Sequence, residues 1–181
     1  MIGEIMAIWF SSVHQLAMAT TYALEDLCLH PEYVQPLRDE IAAALPEKKL
    51  DDGIARQLDL SKLELLDSFI TESSRIFPLD AVSVRRKALE NITFFDGTFV
   101  GRGDWVCFPH AAMMTDPQYW LEADTFNGFR FASAKAVEDS VARSSNAKTH
   151  PRSSKSDSSN TAKFTDVSHK RLIWGAGDKS W

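Results

Sequence analysis

The sequence has few of the features that identify a class of protein at once. Its only cysteines, Cys28 and Cys107, lie far apart and show none of the short spacings of metal-binding cysteines. Neither a disulfide framework nor a zinc site is therefore indicated, and the two distant cysteines favour a protein of a reducing compartment. The chain also has no excess of basic residues, because its formal net charge is -5 at pH 7. Nucleic-acid binding, which usually shows a basic patch, is set aside.

The first apolar stretch, Ile2 to Leu29, lacks the basic start and the cleavage site of a secretory signal peptide. Its apolar residues follow a helical pattern, and both a transmembrane helix and a helix buried within a protein have this character. The polar side chains favour the buried helix; they are Glu4, His14, Gln15, Glu25 and Asp26.

Two further helices are predicted downstream. The first helix should end near His30, because Pro31 disfavours helix in the residue before it and suits the first turn of a new one. The second helix should cover about residues 31–44, and a charged connection follows it. Apolar residues at helical spacing then predict a third helix over about residues 60–77.

The period of the apolar residues changes from Val82 onward, where alternation predicts a small β-sheet. Asp96-Gly97 is a hairpin-turn signal, and Trp105 to Phe108 is predicted as a short strand that ends at Pro109. Asp116-Pro117 is interpreted as the start of a short helix. Residues 135–162, which are rich in Ser, Lys, Asn and Asp, are predicted to be a disordered surface insertion.

The third helix carries a charged pair, Glu72 and Arg75. The two residues stand three positions apart, so both side chains share one face and can pair. A Glu-x-x-Arg match arises by chance in roughly every second chain of this length. By itself it indicates no more than a solvated ion pair worth under about 1 kcal/mol.

The order of the neighbouring motifs changes that interpretation. Arg85 stands ten residues after Arg75, then come the hairpin and Asp124-Thr-Phe-Asn-Gly-Phe-Arg-Phe131, and the stretch from His30 to Ile41 precedes the pair. This series resembles the cytochrome P-450 family, and in particular fungal members of the branch that includes terpenoid-oxidising enzymes. The resemblance implies a mainly α fold with a small β-sheet, the incomplete C-terminal part of the cytochrome P-450 fold. Residues 1–134 would be the partial domain and 163–181 the start of the haem-binding loop.

The resemblance also assigns roles to charged residues. Glu72, Arg75 and Arg130 match a buried ion network, in which each charge needs the others because an unpaired buried charge costs several kcal/mol. Arg85 matches a residue that binds a haem propionate, a task that suits a bidentate donor. The alternative for Arg85 is an ordinary surface arginine beside Arg86.

Two further groups of residues match the oxygen and substrate positions of the family. His14 and Gln15 stand where most members have an acid or amide followed by threonine, so a proton relay through them departs from the common pattern. A structural, hydrogen-bonded histidine is the alternative. Leu79, Ala81 and Val82 match the loop that enters the substrate pocket, and ordinary core packing is the alternative for them.

The end of the sequence departs from the family in a way that matters for the cofactor. Trp174-Gly-Ala-Gly-Asp-Lys-Ser-Trp181 resembles the haem-binding loop, in which Trp174, Gly177 and Lys179 match cofactor-binding positions. Trp181 stands at the position of the axial cysteine, and an indole N–H is a donor that cannot ligate iron. Cys28 and Cys107 match no ligand position, so the thiolate ligand is expected to be absent from this chain.

The resemblance therefore implies a haem-dependent monooxygenase that acts on a small apolar secondary metabolite such as a terpenoid, with NADPH–cytochrome P-450 reductase as redox partner. Intact members lie on the endoplasmic reticulum membrane, whereas this chain, without the N-terminal anchor, is expected to be cytoplasmic or of unknown location and inactive alone. The alternative is a non-enzymatic pseudogene remnant or a helical module that binds a partner through its apolar faces.

Overall fold

The computed structural model describes residues 2–45, 58–143, 163–166 and 171–175. The described α-helices are α1 (Ile2–Leu29), α2 (Val34–Ala44), α3 (Glu64–Ile76), α4 (His110–Met114) and α5 (Ala134–Arg143). The strands are β1 (Ser83–Lys87), β2 (Ile92–Thr93), β3 (Phe99–Val100) and β4 (Trp105–Phe108). A mainly α fold with a small β part is confirmed.

The chain divides into two compact units, which are described separately. The first unit is drawn from Met1–Ser74 and Thr125–Asp166, and the second from Arg75–Asp124 and Val167–Trp181. The first therefore contains α1, α2, most of α3 and α5, whereas the second contains all four strands and α4.

Helix α1 forms where the apolar pattern predicts it, but the prediction that it is buried is wrong. Its apolar side chains are exposed along most of its length, with Trp9 at 63% and Leu16 at 69% exposure. Only near its C-terminal end does it enter the core of the first unit, where Asp26 is buried and Leu27 packs on the core cluster. None of the described helices is long and apolar enough to cross a membrane.

The core of the first unit is an aromatic cluster. Pro31 begins a 3-10 turn over Pro31–Tyr33 that leads into α2, so the predicted second helix is confirmed with its first turn tightened. That turn places Tyr33 against Phe69 of α3 and Phe129, with ring centroids 5.5 Å and 4.9 Å apart. The edge-to-face contact with Phe129 suits the charge distribution of aromatic rings.

Helix α3 is confirmed at the centre of the first unit, although it begins later than predicted. A 3-10 turn over Leu60–Lys62 comes first, and the Asp59 side chain caps it by accepting from the Ser61 N–H at 3.1 Å. The first turn of α3 contains N–H groups that its own helix cannot satisfy. The Glu40 carboxylate of α2 accepts two of them, from Leu65 at 2.7 Å and Leu66 at 3.0 Å.

Helix α5 is a correction to the sequence prediction. Residues 135–143 were predicted to begin a disordered insertion, but they form most of this ten-residue helix. Its apolar residues are few, yet Val137 packs in the core cluster and Ser140 is buried beside it, three residues further along the same face. The remainder of the predicted insertion, residues 144–162, lies outside the described residues.

The second unit has two small antiparallel sheets where a single one was predicted. Strand β1 pairs with β4 and β2 pairs with β3. The register of the first pair slips between Ser83 and Arg86, and Val84 within that irregularity has φ of 52°. A β-branched residue in this left-handed region is strained, so the irregularity has a steric cost.

The predicted hairpin turn and the predicted short helix of this unit had different outcomes. Asp96-Gly97 forms the predicted hairpin between β2 and β3, with Gly97 at φ 87° and Asp96 accepting from the Thr98 N–H at 2.9 Å. The helix predicted to start at Asp116 is wrong, because Asp116 instead closes a turn through the Gln118 N–H at 2.8 Å. The short helix lies earlier, at α4.

Candidate functional site

One face of α3 holds the segment 127–133 through three side chains. Glu64, Ser68 and Glu72 are spaced four residues apart, so they lie in a row along the helix. Glu64 accepts from the Ser133 N–H at 2.6 Å, and Ser68 donates to the Gly128 carbonyl at 2.9 Å. Ser68 also accepts from the Phe131 N–H at 3.0 Å. The row therefore fixes the backbone of the segment that carries Arg130.

Glu72 and Arg130 form a buried ion pair in the first unit. The Arg130 Nε donates to both carboxylate oxygens of Glu72, at 3.1 Å and 3.0 Å. Glu72 is 0% and Arg130 8% exposed at the side chain. The Asn127 N–H adds a third bond to the carboxylate at 2.9 Å, and Arg130 Nη2 donates to the Thr125 carbonyl at 2.9 Å.

This hydrogen bonding decides whether such a pair can be stable. Two charges taken out of water lose several kcal/mol of hydration each, and their attraction compensates only when the remaining donors and acceptors are also satisfied. Both groups of the Glu72–Arg130 pair have backbone partners in addition to each other. The arrangement is suited to holding a chain segment in place rather than to exchanging protons with a ligand.

Arg75 lies on α3 one turn beyond Glu72 and contacts residues of the second unit. Its Nη1 donates to the carbonyls of Met114 at 2.6 Å and Ala123 at 2.8 Å. The guanidinium carbon also lies 5.9 Å from the centre of the Trp120 ring, a cation–π distance. Arg75 is itself buried, so it fixes the turns between α4 and residue 124 by supplying donors to their carbonyls.

A close approach of backbone to aromatic rings explains the glycine of the Asp124–Phe131 motif. A Cβ at Gly128 would lie 2.7 Å from Phe69 Cδ2 and 2.9 Å from Tyr33 Cε1. Such distances leave no room for a methyl group. Glycine at position 128 therefore lets the segment pack directly on the aromatic core.

Arg85 is exposed on β1 in the second unit. Its Nη2 donates to the Val82 carbonyl at 3.0 Å and lies 3.8 Å from Asp80 Oδ1, with the two side chains 60% and 58% exposed. An exposed pair at this distance holds the guanidinium weakly. Arg85 therefore remains accessible to a carboxylate ligand.

The other predicted site residues within the described ranges are exposed or half-buried. His14 and Gln15 are exposed on α1, and Leu79 is half-buried while Ala81 and Val82 are exposed in the loop before β1. Trp174 is half-buried beside Gly175, whose φ of 88° makes a tight turn. Gly177, Lys179 and Trp181 lie outside the described residues.

A surface groove of about 470 Å³ lies in the first unit, and none of the predicted site residues that the structure describes lines it. Its lining mixes apolar and charged side chains, chiefly Leu60, Leu63, Phe131, Glu64, Asp67 and Lys163. It does not coincide with the predicted substrate loop. Among the described residues, no group of three or more His, Cys, Asp or Glu side chains is placed to hold a metal ion.

Asp26, Glu40 and His110 are buried titratable groups that the sequence assigned to no site. Burial raises the pKa of Asp26 and of Glu40 above their usual values, and it lowers the pKa of His110. For Glu40, the Leu65 and Leu66 N–H groups oppose the rise. Single acidic or histidine residues have no spacing signal, so only the packing reveals them. The row of Glu64, Ser68 and Glu72 is different, because its four-residue spacing was visible in the sequence.

Comparison with known proteins finds one family repeatedly. A family model described as cytochrome P-450 matches residues 2–153. A cytochrome P-450 monooxygenase of Emericella nidulans is 38% identical over 121 residues, which cover 67% of this chain and 22% of that protein. One of Penicillium rubens is 37% identical over 70% of this chain and 23% of its own length. One of Botryotinia fuckeliana is 35% identical over 74% of this chain and 26% of its own length. The chain thus spans about a quarter of the length of these relatives.

Proposed function

The chain belongs to the cytochrome P-450 family, and we propose that its residues serve a haem-dependent monooxygenase acting on an apolar secondary metabolite such as a terpenoid. The buried Glu72–Arg130 pair is the observation that carries the proposal. The resemblance assigns these two residues and Arg75 to the ion network of the haem-side core. In this role all three residues are structural supports.

The donor set of the second unit fits one part of a haem group. Arg85 offers an exposed guanidinium with one backbone acceptor and one distant carboxylate, and a bidentate donor of this kind suits a propionate. We assign Arg85 to that task, and Trp174, Gly177 and Lys179 to the loop that would hold the cofactor. Cys28 and Cys107 are exposed on α1 and β4, and we assign neither to the iron.

When bound, a haem group of this family supplies the activation of dioxygen, and the protein supplies binding, orientation and protons. Leu79, Ala81 and Val82 would present apolar surface to the substrate. Ala81 and Val82 are exposed, and Leu79 is half-buried. His14 is the candidate proton donor, with Gln15 beside it as a hydrogen-bonding group. The side chains of Leu79, Ala81 and Val82 favour an apolar substrate because they offer no partner to a charged one.

The same proposal includes the partner and the location. A monooxygenase of this family receives its electrons from NADPH–cytochrome P-450 reductase, and intact members lie on the endoplasmic reticulum membrane. For this chain taken by itself, we propose that no thiolate-ligated haem forms and that it is inactive alone.

The test is reconstitution of the purified chain with haem, followed by reduction and a carbon monoxide difference spectrum. We expect haem uptake that Arg85→Gln weakens by roughly tenfold, the effect of losing one charge-assisted hydrogen bond. Arg86→Gln is the matched control, because it removes an equal charge from the next exposed residue. Uptake that both variants leave unchanged, or no uptake at all, would contradict the role of Arg85.

The same spectrum tests the axial ligand. We expect no red-shifted band of the thiolate type. If such a band appears and Cys28→Ser or Cys107→Ser removes it, the assignment of both cysteines as non-ligands is wrong.

The exposed apolar side chains of α1 favour a second function, a helical module that binds a partner. Light scattering on the chain as it elutes from a size-exclusion column measures its oligomeric state and tests this second function. A soluble monomer would support a stand-alone binding fold, whereas association that Trp9→Lys and Leu16→Lys reduce would show that the helix contacts other copies of itself.

A further inference from the structure

His110 is a buried histidine for which the proposed function has no use. It is the first residue of α4 and is 3% exposed. Within the described part of the chain, neither ring nitrogen has a partner in hydrogen-bonding geometry. Most buried polar groups are hydrogen-bonded, so an imidazole in this state calls for an explanation.

The loop before β1 lies directly on the start of α4. The Ala111 N–H donates to the Ala81 carbonyl at 3.1 Å, which ties the residue after His110 to the residue after Asp80. Burial lowers the pKa of His110, and both the backbone and the carboxylate of Asp80 are close enough to oppose that shift. Among the described residues, Asp80 is the only charged group that acts on this imidazole.

The same carboxylate also faces Arg85, at 3.8 Å from its Nη2. Asp80 is therefore shared between a permanent cation on the surface and a buried base that becomes a cation when protonated. A protonated His110 would compete with Arg85 for the carboxylate, and because its ring is buried, water screens that attraction less than it screens the exposed Arg85 pair. A neutral His110 leaves the carboxylate to Arg85.

We propose that His110 is a positioning residue for Arg85, which acts by deciding whether the Asp80 carboxylate pairs with the imidazole or with the Arg85 guanidinium. While His110 is neutral, the Asp80 carboxylate stays beside Arg85 and partly neutralises its charge. Once His110 is protonated, Asp80 turns to the imidazole, and the accessible Arg85 then attracts another carboxylate more strongly. The importance of that change rests on the proposed role of Arg85 toward a haem propionate, but the coupling of the three residues exists without haem.

The experiment measures the pKa of His110 in the full chain without haem. Long-range ¹H–¹⁵N spectra follow the ring nitrogens across a pH titration in the wild type, Asp80→Asn, Arg85→Gln and the double variant. Asp80→Asn should lower the pKa of His110, because it removes the carboxylate that favours the charged ring. Arg85→Gln should raise the pKa of His110, because the carboxylate loses its competing partner. In the Asp80→Asn background, Arg85→Gln should have no effect.

Two controls separate this coupling from general effects of charge. Arg86→Gln removes an equal charge from the neighbouring residue and should leave the His110 titration unchanged. The ring signals of His30, in the other unit, should be the same in all variants, which shows that the substitutions do not disturb the first unit. Asp80 and Arg85 are exposed, so their substitutions should not unfold the chain.

The outcomes decide the proposal in either direction. If Arg85→Gln changes the His110 titration equally with and without Asp80, the effect is a direct one through space and the proposal is wrong. If Asp80→Asn leaves the titration unchanged, Asp80 does not pair with His110 and the proposal is also wrong. Failure of the haem reconstitution would remove the propionate role of Arg85 but would leave these results untouched.

Discussion

At the scale of single residues, this protein depends on buried charges that are stable only with their partners. Glu72 shares its carboxylate between the Arg130 guanidinium and the Asn127 N–H, and its side chain is closed off from solvent. Removal of one member leaves the other charged, buried and without its counter-ion. The cost of that state, rather than the attraction within the intact pair, controls the effect of a substitution.

Glu72→Gln should therefore lower the free energy of unfolding by about 3–5 kcal/mol. Glu90→Gln, which changes an exposed glutamate in the same way, should change it by less than about 0.5 kcal/mol. Urea unfolding measures both. Replacing the pair together, with Glu72→Leu and Arg130→Met, should cost less than the sum of the single changes, because neither member of the pair then remains as a buried charge without the other.

Gly128→Ala tests the close approach of the backbone to the aromatic core. The added methyl group would overlap Phe69 and Tyr33, so we expect a loss of about 1–3 kcal/mol in the free energy of unfolding. Gly3→Ala is the matched control, because nothing lies within 4 Å of the added atom and alanine favours helix. A neutral Gly128→Ala variant would mean that the two rings move aside at little cost.

The sequence predicted the residues of the ion pair only through resemblance to a family. Glu72 and Arg130 are 58 positions apart, and no local pattern connects them. Conversely, the burial of His110 had no signal in the sequence, since His110 begins a five-residue helix that is too short to show a period. Residues whose role depends on distant contacts are visible from sequence only when a known family supplies the pairing.

At the scale of elements, α2 and α3 are joined by a cap that comes from a distant part of the chain. Helix α3 begins with free N–H groups, and Glu40 accepts from two of them across 25 and 26 positions of sequence. A carboxylate at this end of a helix also faces the positive end of its dipole. One side chain therefore positions two helices.

Glu40→Ala should cost about 1–3 kcal/mol in the free energy of unfolding, because both N–H groups lose their acceptor in a buried place. Glu138→Ala removes an exposed glutamate from α5 and should have little effect. Hydrogen exchange at Leu65 and Leu66 provides a local measurement, and these amides should lose protection in Glu40→Ala alone. Unchanged protection there would show that Glu40 does not act as the cap.

The elements that sequence analysis predicted well are those with a strong period of their own. The apolar residues of α1 and α3 recur at helical spacing, and Asp96-Gly97 specifies its hairpin locally. Helix α5 was missed because its composition resembles that of disordered segments, and its formation depends on Val137 meeting the core of the first unit. The exposure of α1 was also missed, because an apolar pattern predicts a buried face without identifying what covers it.

At the scale of the whole molecule, buried groups in the two units give stability opposite dependences on pH. In the first unit, burial raises the pKa of Asp26 and Glu40 above their usual 3.8 and 4.5. Their contribution to stability is present below those values and is lost as the pH rises through the raised pKa values. In the second unit, burial lowers the pKa of His110 below 6.5, so its contribution is present above that pH and is lost as the pH falls.

Urea unfolding from about pH 4 to about pH 8 should separate these contributions. Glu40→Gln should lack part of the loss that the wild type shows as the pH rises above 4.5, because the glutamine cannot ionise. His110→Gln should lack part of the loss that the wild type shows as the pH falls below 6.5. The slopes are the measurement, since either substitution also changes the overall stability by altering its contacts. The free energy of unfolding of Glu138→Gln should run parallel to that of the wild type at every pH. If the Glu40→Gln curve is equally parallel, solvent reaches the Glu40 carboxylate and its burial has no cost.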